Sequence, residues 1–207
     1  MIPFIGAAIA AIIPIMTTVE TVCRTVAAVA MAAAAVVEVG RQLGILDPDC
    51  SGTELGEQVL CAEQDGILPE DLEDQDEYIA RVRAIDVSQY DVDQWDERTK
   101  ALKAIAFTCR AIADKIGVEA VAPLEGLVRD MEKEDPFYTP ERVAAYLDAG
   151  REGELDLSEV SGYLQGNILS ANKANEIRTR MIQAELARDP SASQAGIERQ
   201  IDAFSAE

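Results

Sequence analysis

Residues 1–39 read MIPFIGAAIAAIIPIMTTVETVCRTVAAVAMAAAAVVEV, and how that stretch is buried decides what kind of protein this is. Its charged side chains are Glu20, Arg24 and Glu38, and no Lys or Arg precedes Arg24. About 20 apolar residues at 1.5 Å rise match a hydrocarbon core of roughly 30 Å, so residues 2–19 have the length of a bilayer-crossing segment. Such a head is expected to be buried in lipid, in its own fold or in neighbouring subunits. Pro3 suits a first helical turn, whereas Pro14 should kink or break the run. The pattern predicts a short helix over residues 4–13, a bend, and a longer helix over residues 15–43, ended by Gly40 and Gly44. Glu20 and Arg24 stand four apart in the order that favours an ion pair on a helix. Gly6/Ala10 and Ala28/Ala32 are small-xxx-small pairs, which let helix backbones approach closely. An Ala-rich helix that is apolar all round also suits the centre of a soluble oligomer. A cleavable signal peptide is the competing reading, but its usual positive n-region is missing before Arg24.

The chain has 207 residues. That length predicts one domain with an appendage: residues 1–44 as an apolar anchor or assembly segment, residues 45–207 as an acidic helical domain. Ala, Glu, Gln and Leu dominate and sustained β-branched alternation is missing, so the expected class is all-α, a bundle of short helices behind an Ala-rich head. Ser51-Gly-Thr-Glu54 forms a capping box for a helix running to about Gln64 and stopping at Asp65-Gly66. Pro69 opens another, with acids in its first turns and Ile79, Val82 and Ile85 as its apolar stripe. Residues 94–116 form the strongest helical pattern, with Gly117 as its stop, and are expected to be central to the core. Helices over 118–133, interrupted by Pro123, over 172–187 and over 192–206 complete the set.

The net charge is −20, unevenly placed. Residues 46–97 carry 17 Asp/Glu against Arg81 and Arg83. That field repels nucleic acid and anionic lipid and offers a docking face to a basic protein partner. The sequence has no His, the commonest general base and metal ligand. Cys23, Cys50, Cys61 and Cys109 lack CxxC spacing, which argues against zinc or iron–sulfur. Cys23 and Cys109 read as small core residues, and Cys50 with Cys61 as a pair able to bridge in an oxidising compartment. No Gly-rich phosphate loop, GxSxG or Cys–His pair occurs.

One segment carries coordination chemistry. Asp148-Ala-Gly-Arg-Glu-Gly-Glu-Leu-Asp-Leu-Ser-Glu159 resembles an EF-hand calcium loop, with helical flanks that extend the likeness over residues 140–165. The resemblance implies Ca²⁺ held by Asp148, Glu152, Asp156 and Glu159, with the Glu154 carbonyl as a further ligand and Gly153 making the sharp turn. Gly150 stands where a side-chain oxygen belongs, so binding should be weak. A second half-match, Asp47-Pro-Asp-Cys-Ser-Gly52, covers the front of such a loop alone. The competing reading is a helical hairpin in which Asp156 and Glu159 cap the following helix.

The expected function is a non-enzymatic structural or interaction protein. It is anchored through residues 1–44 in a membrane or in a large assembly of the virion or secretion-apparatus type, and is oligomeric. The partners are lipid or neighbouring subunits, not nucleic acid. The alternatives are a pore-forming protein whose residues 2–43 insert as a hairpin, a weak calcium-binding module and, for localisation, a secreted protein.

Overall fold

The computed structural model describes residues 3–69, 75–131, 133, 136–167 and 170–205, with side chains described from residue 12 onward except at Gln75. Among these residues are ten α-helices and no strands, the all-α class the composition predicts. They are α1 (Pro3–Val22), α2 (Val26–Gln42), α3 (Gly52–Gln64), α4 (Gln75–Arg83), α5 (Glu97–Ile116), α6 (Val121–Asp130), α7 (Pro140–Arg151), α8 (Leu157–Leu164), α9 (Ala171–Arg188) and α10 (Gln194–Phe204).

The head divides at a different place from the expected one. A single helix, α1, runs through Pro14. Pro14 removes one ladder bond, but it lies on the exposed side, where water can replace what is lost. The break falls at Cys23–Thr25. Thr25 is extended, and its hydroxyl accepts from the Ala28 N–H, which starts α2. The Cys23 carbonyl, left over at the end of α1, accepts from Arg98 of α5. Because α1 ends at Val22, Glu20 and Arg24 no longer share a helical face, and the ion pair expected between them is not among the described contacts. Gly40 lies inside α2. Gly44, with φ +68°, is the residue that reverses the chain.

Helix α5 is central, as its pattern predicts, and lies against α1, α2 and α3. Asp96 caps it and Gly117 ends it. On α2 the inward face is Val29, Ala32, Val36, Val37 and Val39, all buried. Ile15, Val19 and Cys23 of α1 join the same cluster. So do Ile105 and Ile112 of α5, Leu124 of α6 and Ile177 of α9. The apolar run thus shares one core with the acidic helices, and the turn at Gly44 is not a gap in packing. Ala28 and Ala32, read as a pair that lets helix backbones approach closely, are buried inside this core. Among the described residues no helix is long and apolar enough to cross a membrane. The span expected over residues 2–19 falls largely on side chains outside the described residues.

Further elements follow their local signals. Ser51 accepts from the Glu54 N–H, and α3 ends at Asp65 and Gly66 as expected. The acidic first turns expected after Pro69 fall on residues 70–74, outside the described residues. Pro123 does not interrupt α6. It sits in the first turn, where its missing N–H has no intrahelical role. The cap of α10 is Ser193, whose side chain accepts from the Gly196 N–H.

One close approach sets the spacing of α2 and α5. A Cβ on Gly40 would meet the side chains of Leu46 and Thr108 at 2.8 and 2.9 Å. Thr108 is fully buried and its hydroxyl has no described hydrogen-bond partner. Replacing that hydroxyl by a methyl removes an unsatisfied polar group at constant shape. Thr108→Val is therefore expected to stabilise the protein by about 1 kcal/mol. Denaturant titration checks this, and a shift of the midpoint to lower denaturant would contradict it.

Candidate functional site

The calcium-loop expectation can be followed residue by residue. Helix α7 continues through Gly150 to Arg151, so the first four positions of the supposed loop are helical rather than wrapped around a cavity. The chain reverses at Gly153, with φ +76°, and the Glu154 and Leu155 N–H groups return to the Ala149 carbonyl. This is the hydrogen-bond pattern of a glycine helix stop. The Asp148 carboxylate accepts from Arg151 at 2.7 Å and from Arg188 at 2.6 Å. Both arginines also reach the end of α2, Arg151 at the Leu43 carbonyl and Arg188 at the carbonyl and side chain of Gln42. Cations at a helix C-terminus meet the negative end of its dipole. Asp148 therefore holds together the ends of α2, α7 and α9.

Asp156 caps α8, accepting from the backbone of Ser158 and Glu159 and from the Ser158 hydroxyl. These bonds hold its carboxyl below the usual range, the Ser158 hydroxyl most strongly. A depressed pKa stabilises the fold above the ordinary carboxylate range, and that contribution is lost as pH falls from there through the depressed folded-state value. Glu159 pairs with Lys173 at 2.8 Å rather than closing the capping box. Glu152 is the C-terminal cap residue of α7, and Glu154 offers its carbonyl to Arg180. The five residues expected to converge on one ion thus point to five separate tasks. Among the described residues no group of three or more carboxylates or thiols is placed to hold a metal ion.

Gly150, expected in a loop, faces a side chain instead. A Cβ there would lie 2.8 Å from Cγ of the buried Leu157. Gly150→Asp is therefore expected to destabilise the protein by about 1–3 kcal/mol, read as a lower melting temperature. Calcium titration of the parent is expected to give neither heat nor added stability at millimolar concentration. A calcium affinity that Gly150→Asp tightens would restore the EF-hand reading.

The cysteines and the acidic surface are distributed by the fold. No disulfide joins Cys50 and Cys61, because α3 lies between them and separates them by most of its length. Burial pushes the Cys109 thiol up to about 12 and raises those of Cys50 and Cys61, which disfavours reactive thiolates. Part of the acidic field of residues 46–97 is neutralised internally. Glu57 pairs with the buried Lys100 at 2.8 Å, Glu63 with Lys103 at 2.6 Å and Asp47 with Arg83 at 3.5 Å.

Two features had no readable signal in sequence. The first is a polar cluster between α7, α9 and α10. Arg142, 7 % exposed, bonds Glu185 through Nε and Nη2, both at 2.9 Å. It also donates to the Phe137 carbonyl and to Gln200. The Tyr146 hydroxyl donates to Glu185 at 2.7 Å. Partners separated by 39 to 58 residues leave no local pattern. The second is the outer face of the head. Its core side is buried, yet Ile13 of α1 stands 59 % exposed, and Val26 and Met31 of α2 stand 50 % and 56 % exposed, with Ala27, Ala30 and Ala34 exposed on α2 as well.

No protein-family model, curated protein or solved structure matches this chain. What the fold defines is an all-α protein whose N-terminal helices serve its own core on one side and face outward on the other.

Proposed function

We propose that this is a non-enzymatic structural or interaction protein, held in a membrane or large assembly through the outer face of its N-terminal helices. The observation that carries the reading is the exposure of Val26 and Met31 on a stretch, residues 25–37, that has no charged side chain. Exposed large apolar groups that share a surface with small residues favour helix contact with a neighbour. The strongly acidic remainder disfavours nucleic acid and anionic lipid as that neighbour.

The pore-forming alternative asks more of the molecule. Residues 2–43 would have to leave as a hairpin, and the core partners they now cover, such as Ile105 and Ile112 of α5, would then face water. Each such side chain contributes about 1.5–3 kcal/mol by burial. Attachment through the outer face needs no such release. Dye leakage from liposomes on adding purified protein would reinstate the alternative.

Removing residues 1–44 does not test the proposal, because it removes α2 from the core. The informative variant is Val26→Glu/Met31→Lys, which changes exposed positions and keeps the net charge. It is expected to keep the parent's circular dichroism and melting temperature, and to leave the membrane, particle or oligomer fraction that the parent occupies. A variant that fractionates with the parent overturns the proposal.

A further inference from the structure

We propose that the groove between the segment around Phe137 and helix α10 binds small organic anions carrying a flat apolar group. The groove measures about 580 Å³, within the range of small-molecule sites. Its wall is aromatic. Phe137 and Phe204 stack with ring centroids 4.3 Å apart. Cations lie over both rings, the Arg142 guanidinium 4.6 Å from Phe137 and Lys133 Nζ 5.6 Å from Phe204.

The polar lining is unusual for this chain. The sequence holds 38 acids against 18 bases, yet the described groove lining contains Lys133, Arg142 and Arg199 and no carboxylate. Arg142 is committed to Glu185 and to Gln200, and its bond to Gln200 Oε1 fixes that amide. The Gln200 Nε2 group then has no acceptor among the described residues. Arg199 donates Nε to the Ala195 carbonyl of its own helix, and its two terminal nitrogens have no described acceptor. Arg199 and Gln200 are thus a charged and a neutral donor beside an aromatic wall. An anionic oxygen suits the donors, with charge-assisted bonds the stronger part, and a flat ring suits Phe204.

Phenyl phosphate tests the proposal on the full chain, followed by NMR. It is expected to shift the resonances of Gly196, Arg199 and Phe204. Arg199→Ala should weaken binding about tenfold or more, the worth of one hydrogen bond to a charged group. Gly196→Leu gives a second, steric variant. A Cβ at Gly196 meets only Ser193, at 3.5 Å or more, and the longer side chain would fill the groove. Leu also favours a helix over Gly, so the fold should hold or gain stability while binding is lost. Inorganic phosphate should bind more weakly than phenyl phosphate. Glu132, Glu134 and Asp135 adjoin the groove in sequence and lie outside the described residues, so benzylamine is the opposing probe. Equal affinity for inorganic phosphate, a preference for benzylamine, or no shift at millimolar phenyl phosphate overturns the proposal.

Discussion

Gly56→Ala is expected to destabilise the protein by about 3 kcal/mol, the upper part of the usual range for overpacking. For a chain of this size that lowers the melting temperature by roughly 10 °C. A Cβ at Gly56 would overlap the Lys100 carbonyl oxygen and lie 2.6 Å from the carbonyl carbon. The obstacle is backbone of the central helix, which cannot rotate away as a side chain can. Intrinsic propensity works in the opposite direction, because Ala in a helix is favoured over Gly by about 1 kcal/mol. The steric term wins if α3 must move off α5. That separation would also disturb the buried pair between Lys100 and Glu57, 2.8 Å apart across the same two helices. Thermal and denaturant unfolding measure the effect. A variant as stable as the parent, or more so, would show that α3 slides on α5 without loss.

Glu185→Ala should cost about 3–5 kcal/mol, the range seen when one partner of a buried ion pair is removed. Glu185 accepts two bonds from Arg142 and one from Tyr146. Arg142 and Tyr146 are both buried, so water replaces the lost carboxylate only in part. Loss of the carboxylate leaves a charged guanidinium and a hydroxyl without their partner, and that penalty exceeds the net worth of the pair. The double variant Arg142→Met/Glu185→Leu removes both charges and should recover much of the loss. Unfolding of the two variants side by side decides the matter. If the double variant is no better than the single one, the cost lies in packing of α9 against α7 rather than in the stranded charge.

The hydrophobic face and the local caps were legible in advance where neighbours in sequence carry them. Ser51 and Glu54 stand three apart, and Gly44, Gly66 and Gly153 mark chain reversals. The α5 pattern, with Ile105, Cys109 and Ile112 on one side, announced a central helix. The break at Cys23–Thr25 was hidden because no Gly or Pro marks it. It depends on Thr25 as a cap and on Arg98, 75 residues away, which donates to the stranded Cys23 carbonyl. The segment Asp148–Glu159 was open to two readings for a related reason. Spacing alone cannot say whether Asp148 faces an ion or two arginines, and Arg188 arrives from a helix 40 residues further on.

By itself the sequence determined the all-α class, the caps and stops carried by local signals, such as Ser51, Asp65-Gly66 and Gly117, and the uneven placement of charge. These follow from interactions within a few residues, which composition and periodicity record. Tertiary structure alone decided where the apolar head is buried. An Ala-rich helix has no polar face to orient it, so its partner is chosen by close approach, through Gly40 against Thr108 and Val36 within the shared core. Tertiary structure also decided that Glu185 meets Arg142 and that Asp148 ties together three helix ends. Such pairings are long-range, and a carboxylate in a chain carrying 38 of them bears no local mark of its partner.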